Sequence, residues 1–420
     1  MKELFLNSFT TTIYKTLSAG IKVMLIILIT NMFGAENYGA YTFSISIFLF
    51  LNTIFRFGFD VYLHQNVAEI YTGNNRIQAQ TILLKTVSIS ILFLFFISLF
   101  AKLILDFDWL EGLKFTFLNY LILYSSFYSG MWLFAYYFRG LNKGKTSVVI
   151  LEIIFPILNI LLIFIFKLFI NEPAQILIHS YGISVIISLI IFLGIEKMNY
   201  KFLFLERKNI FNQSIFIEIK SAIPFLLISV SSMLLAWVDF YVISFFESDF
   251  ELGIYSVSTR LAIFMLFPTS AIAIFFSNKL VLFYKNNDFK SIKEYLKNIT
   301  VVLMSISVLL FIILNIFSSQ ILNIFGEEFK EGRIVLLILT FGYMINATFG
   351  AFETVILMSL HKKLLFKLNL IVVFTNLIIN IPLVYLYGIN GAAFGTLISI
   401  LVNRFLQYKV INDKILVQNK

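Results

Sequence analysis

Ten ionisable residues lie in or beside long apolar runs of this sequence: Lys15, Lys22, Arg56, Asp60, Lys85, Glu152, Asp239, Arg260, Glu353 and Arg404. A charge at the centre of a bilayer costs roughly 2.5–3.5 kcal/mol on insertion scales, so each is expected to face a cavity, water or a partner. Lys15, Lys85 and Arg404 sit toward run ends from which a long side chain reaches water, and Asp60 and Glu152 lie near the same surface. Lys22 and Arg260 are deeper. Thr11, Lys15, Ser18 and Lys22 recur at 4-3-4 spacing and so form one polar stripe on an apolar helix. Arg56 and Asp60 are spaced to pair at i,i+4, and Asp239 is placed to pair with Arg260 across the following turn. Lys22, Arg56, Arg260 and Lys15 together would make a cationic surface. Phosphate is the anion that Lys and Arg commonly hold. Asp239 and Glu353 are acidic exceptions that suit either a coupling-ion or proton site or charge pairing, and the sequence leaves both uses open.

No covalent chemistry is visible. The chain has no cysteine, which removes disulfides, thiolate catalysis and cysteine-bound metal. His64, His179 and His361 fall on separate segments. There is no phosphate-binding glycine loop, no HExxH and no Gly-x-Ser-x-Gly. No catalytic residue, metal site or cofactor is therefore expected, and the chain is read as a non-enzyme. Energy has to come from a gradient, from the substrate itself, or from chemistry on either side.

The elements that position these charges follow from composition. Of 420 residues, 60% are hydrophobic and 13% charged, with a mean hydropathy of +0.92. A soluble domain carries nearer a quarter of its residues as charges. In hydrocarbon every backbone polar group needs an internal partner, and runs of about 20 apolar residues fit helices crossing roughly 30 Å. Spans are predicted near 11–33, 39–63, 82–104, 113–138, 147–170 and 174–195. A second set lies near 217–241, 252–276, 298–318, 332–357, 364–387 and 390–412. The first run lacks a small-residue cleavage site and reads as a span. The fold expected is an all-α membrane protein of about twelve transmembrane helices in two pseudo-symmetric six-helix lobes, 1–195 and 221–420, around a central cavity. Residues 196–220 form a polar linker between them. With the amino terminus inside, 21 of the 32 Lys and Arg residues fall in inner segments and 5 in outer ones. That asymmetry places both termini and the linker in the cytoplasm. It also accounts for the net charge of +9 without nucleic acid.

An internal repeat supports two parallel halves. FGAENYGAY (Phe33–Tyr41) and FESDFELGIY (Phe246–Tyr255) each carry an acidic loop into Gly-x-Tyr at the start of a long helix. Asn369, Asn376 and Asn380 fall within about 40° of one another on one helix face. They suit hydrogen bonds between helices more than the lining of a passage. Pro156, Pro224, Pro268 and Pro382 lie within spans and mark kinks.

These residues resemble the oligosaccharide flippase (O-antigen transporter) family of polysaccharide biosynthesis proteins. That family lies within the multidrug/oligosaccharidyl-lipid/polysaccharide exporter superfamily, whose folds are MATE-like. The likeness is carried by FGAENYGAY with FRFGFD (Phe55–Asp60), AIPFLL (Ala222–Leu227) with WVDFYVISFF (Trp237–Phe246), and LGIYSVSTRL (Leu252–Leu261). IFGEEF (Ile324–Phe329) leading to NLIINIPLVYLYGINGAAFGTLIS (Asn376–Ser399) completes it. The resemblance implies a flippase in the bacterial inner membrane that moves undecaprenyl-diphosphate-linked oligosaccharide, such as O-antigen units for lipopolysaccharide, to the outer leaflet by alternating access. Membrane lipid, polysaccharide polymerase and chain-length machinery are its implied partners. Lys22, Arg56 and Arg260 are then placed to meet the diphosphate or acidic sugars. A cation-coupled drug antiporter of the same superfamily would favour acidic cavity residues instead. A polymerase or ligase would need a large outer loop, and the predicted loops are short.

Overall fold

The computed structural model describes residues 2–72, 76, 78–90, 117–118, 121–196, 215–269, 280, 283, 286, 288–358 and 362–416. Most of the predicted third span, the start of the fourth, the end of the eighth and residues 197–214 of the linker lie outside them. The described residues are helical almost throughout, and seven segments among them are long and apolar enough to cross a membrane.

In chain order, α1 covers Lys2–Phe55, α2 Phe59–Thr72 and α3 Ser125–Gly140. The short α4 (Gly144–Val148) runs through a π-turn, Val149–Ile154, into α5 (Phe155–Lys167), and α6 is Pro173–Ile195. Then come α7 (Ile215–Phe246), α8 (Asp249–Ile263), α9 (Phe289–Ile316), α10 (Ser318–Asn323), α11 (Arg333–Thr348), α12 (Ala351–Met358) and α13 (Lys362–Val410). Helices α1 and α13 are each broken once, at Gly34 (φ 79°) and Gly388 (φ 59°), a backbone region that glycine enters without a side-chain clash. Their apolar stretches of 40 and 48 residues come to about 60–70 Å at 1.5 Å per residue, long enough for two crossings, one on each side of the break. The breaks fall where the sequence predicts tight turns between spans.

Lipid supplies no water to satisfy buried hydroxyls, so these helices satisfy their own. Ser44 Oγ donates to the Ala40 carbonyl at 2.8 Å, Ser184 Oγ to Tyr181 at 2.7 Å and Thr259 Oγ1 to Tyr255 at 2.8 Å. Large apolar side chains meanwhile stay uncovered: Leu168, Phe169 and Ile378 are more than 70% exposed. Hydrocarbon solvates such surface at little cost.

The chain divides into two compact units. The first is residues 1–29 with 40–233, and the second is residues 30–39 with 234–420. In the first, α3 packs on α2 and α6, and α6 on α5. Its core holds fully buried Phe59, Tyr137, Phe138 and Phe192. In the second, α11 packs on α8, α9 and α13 around buried Tyr255, Phe329 and Leu336. The repeat glycines meet inside this second unit. A Cβ on Gly39 would lie 1.8 Å from the Asp249 carbonyl oxygen, and one on Gly253 would lie 2.1 Å from that of Ala35. Only hydrogen fits at that crossing. The Ala35 amide also donates to Glu328 at 2.7 Å, and Asn31 Nδ2 donates to the Ile324 carbonyl at 2.8 Å. The acidic IFGEEF stretch therefore holds the 30–39 turn.

Candidate functional site: a cationic cavity and two hydrogen-bonded acids

A cavity of about 980 Å³ opens in the first unit, lined by residues of α1 and of the α3–α4–π segment. Lys22 comes from α1, one turn beyond Ser18 on the predicted polar stripe. Arg139, Lys143 and Lys145 come from the turn that closes α3 and opens α4. That turn is built by Asn142 at φ 58°, with the Lys143 amide returning to the Phe138 carbonyl at 2.9 Å. A left-handed residue of this kind satisfies the last carbonyls of a helix, and cations there complement its negative end. Arg139 is fixed by Ser147 (Nε to Oγ 3.2 Å) and lies over the Tyr136 ring, while Lys143 lies over Phe138.

Glu152 is the single acid among the residues lining this space. Its Oε2 accepts from Lys22 Nζ and from Ser18 Oγ at 3.1 Å. The cause of its position is local. Pro156 has no N–H to offer the Glu152 carbonyl four residues back, and its ring crowds that oxygen. The chain widens into the π-turn at this point. Sequence spacing identified Lys22, while Arg139, Lys143 and Lys145 entered only in the count of inner-segment cations and Glu152 only as an acid near the same surface. The proline four residues after a glutamate was the available signal. Lys15 is on α1, with its side chain outside the described residues.

The other predicted residues lie elsewhere. Arg56 is buried and forms the predicted pair with Asp60 (Nε to Oδ2 3.5 Å). Its guanidinium also lies over Trp132 at 5.4 Å and Tyr128 at 5.8 Å, and Nη1 finds no hydrogen-bond partner. It does not line the Lys22 cavity. Lys85 and Arg404 do not reach water as expected. Lys85 is buried against Glu218 at 3.6 Å. Arg404 is buried between Asn346, Gln407 and the Phe349 carbonyl.

In the second unit, Asp239 and Arg260 do not form the predicted pair. Arg260 lies over the Trp237 ring at 5.0 Å. Asp239 instead accepts from neutral groups: Asn380 Nδ2 and Thr396 Oγ1, both at 2.6 Å, and the Tyr255 hydroxyl at 3.2 Å. Asn380 Nδ2 also donates to Asn376 Oδ1 at 2.6 Å, and its own Oδ1 is buried without a hydrogen-bond partner. The asparagine face of α13 thus closes on a carboxylate. Among the described ion pairs none involves Asp239. Glu353 is exposed, within electrostatic reach of Arg404.

A fourth cluster was not anticipated. Glu196, at the end of α6, is fully buried. It accepts from Arg76 through both oxygens (3.2 and 3.1 Å), from Gln80 at 2.8 Å and from the Tyr137 hydroxyl at 2.9 Å. Burial alone would raise its pKa, but these hydrogen bonds outweigh it and hold the carboxyl below its ordinary value.

The sequence profile of polysaccharide biosynthesis proteins matches residues 4–277. A curated relative, the "Probable low-salt glycan biosynthesis flippase Agl15" of Haloferax volcanii, is 29% identical over 181 residues. The matched region covers 42% of this chain and 38% of that protein. Among solved structures, an inward-facing multidrug resistance MATE family transporter of the MOP superfamily aligns with a TM-score of 0.72 at 15% identity. The alignment covers 96% of this chain and 94% of that one. Lipid II flippase MurJ in its inward closed conformation aligns with a TM-score of 0.69 at 18% identity, covering 96% and 87%. At such identities the likeness is one of fold, and it agrees with the MATE-like fold that the resemblance implies. The profile extends over more than half of the residues: the chain belongs to the polysaccharide biosynthesis protein family.

Proposed function

We propose that this chain is a flippase for lipid-linked oligosaccharide, carrying undecaprenyl-diphosphate-linked repeat units such as O-antigen from the cytoplasmic to the outer leaflet by alternating access. The observation that carries this reading is the cavity in which Lys22, Arg139, Lys143 and Lys145 converge. Four cations against one acid in a chain this apolar suit a diphosphate headgroup that has to leave water. Family membership and the name of the Haloferax volcanii relative support a glycan-linked substrate. The proposal includes two six-helix lobes, 1–195 and 221–420, a bacterial inner-membrane location and cytoplasmic termini. It also keeps Arg56, Arg260 and Lys15 as further contacts for phosphate or acidic sugars. Polymerase and chain-length machinery would receive the product.

Asp239 supplies the energy step in this reading. Its carboxylate, with Asn376, Asn380, Thr396 and Tyr255 around it, offers oxygen ligands and no cationic partner among the described ion pairs, which suits a coupling proton or a hard monovalent cation. Glu353, exposed beside Arg404, fits charge pairing better. The same Asp239 site favours a second reading, a cation-coupled small-molecule antiporter. Gene deletion followed by analysis of lipid-linked sugars separates the two. Intermediates trapped on the cytoplasmic leaflet support the flippase. Normal surface polysaccharide with altered drug tolerance supports the antiporter and removes the first reading.

A further inference from the structure

The cavity holds its own anion. Glu152 is carried on a π-turn that Pro156 imposes, and it ties up Lys22 and Ser18 through one oxygen. Turns of this type cluster at functional sites because they re-aim one side chain without ending the helix. Lys22 and Glu152 are both partly exposed, with side chains 49% and 30% accessible, so the pair can be opened by a ligand at modest cost. Resting on the reading of this cavity as a diphosphate site, we propose that Glu152 is a specificity-determining counter-charge that a substrate phosphate has to displace from Lys22.

The physical consequence is discrimination by charge number. A tethered carboxylate sits beside Lys22 at high effective concentration, so a ligand that offers a single phosphate gains little by replacing it. Two linked phosphates can take Lys22 while also engaging the Arg139–Lys145 turn, and that second contact offsets the displaced pair. Monophosphate headgroups, which crowd any bilayer surface, are thereby kept out of a cavity whose remaining charge would attract them. When the substrate leaves, Glu152 closes on Lys22 again, so release has a partner ready for the uncovered cation.

The test uses the full-length purified protein and two probes, inorganic pyrophosphate and inorganic phosphate, with affinities measured by titration calorimetry. Wild type should prefer pyrophosphate. E152Q should bind both more tightly, phosphate disproportionately, so that the preference falls roughly two- to fivefold, the fold-change matching loss of a partly exposed ion pair. K22Q should weaken pyrophosphate binding. An unchanged preference in E152Q, with K22Q still weakened, overturns the role of Glu152 and leaves the cavity reading standing. If neither K22Q nor K143Q/K145Q weakens binding, the cavity reading itself is wrong and this proposal goes with it. S18A removes one of the two bonds to Glu152 without changing charge and serves if E152Q does not fold. It should shift the preference in the same direction by less, and no shift overturns the proposal.

Discussion

Replacing Glu196 by alanine removes the acceptor that joins three segments of the first unit. The wild-type carboxylate takes four hydrogen bonds, two from Arg76 and one each from Gln80 and Tyr137. Arg76 has a half-exposed side chain, so it rehydrates and its loss counts little. Gln80 and Tyr137 are buried, at 3% and 0% exposure, and their donors have nowhere to turn. Each orphaned buried donor costs about 1–3 kcal/mol, which puts E196A at about 2–6 kcal/mol less stable. E196Q keeps one acceptor and the shape, and should lose roughly 1–2 kcal/mol. Equilibrium unfolding in mixed detergent micelles measures both. The pH dependence has a fixed sign, because the folded-state pKa of Glu196 is depressed. Its contribution is complete above the unfolded carboxyl value and disappears as pH falls through the depressed one. The gap between wild type and E196Q should therefore close only toward acid. E196A within about 0.5 kcal/mol of wild type, the range of an ordinary surface substitution, would mean that Gln80 and Tyr137 do not depend on Glu196 for a partner.

Three other outcomes follow from the geometry. K85M should lower stability by about 3–5 kcal/mol by leaving Glu218 buried and unpaired, and K85M/E218M should recover most of it; a double variant no better than the single one contradicts a buried pair. G39V places a side chain where 1.8 Å separates the Cβ position from a backbone oxygen. It should release the 30–39 turn, read as faster cleavage by an added protease there, and wild-type resistance contradicts the close crossing. D239N should leave the fold intact but make transport indifferent to an imposed proton or sodium gradient, measured in vesicles; retained gradient dependence excludes Asp239 as the coupling group.

Local relations were legible in the sequence and distant ones were not. Apolar runs located the helices, the gaps between those runs fell at the breaks now seen at Gly34 and Gly388, and i,i+4 spacing found Arg56 with Asp60. Each of those depends on a few neighbouring residues. Lys22 with Glu152 and Lys85 with Glu218 join residues more than a hundred positions apart, and only helix packing decides such partners. For the same reason Lys85 and Arg404 looked able to reach water from span ends, while in the fold neighbouring helices cover them. Asp239 shows the limit in the other direction. Arg260 on the following span looked placed to pair with it, but Asn380 and Thr396 of α13 occupy its oxygens instead. Arg139, Lys143 and Lys145 were counted only as inner-segment cations, because a cation that orients a helix and a cation that lines a cavity look alike in one dimension.

The most direct test of the central claim is flipping by the purified protein in liposomes. A lipid-diphosphate oligosaccharide is loaded, and its exposure in the outer leaflet is followed with an added glycosidase. A cationic-cavity flippase should give protein-dependent exposure that slows by at least about tenfold in K22Q and in R139Q/K143Q, the loss of one charge-assisted phosphate contact or more. Exposure that does not depend on the protein, or full rates in both variants at normal reconstitution, would contradict that claim.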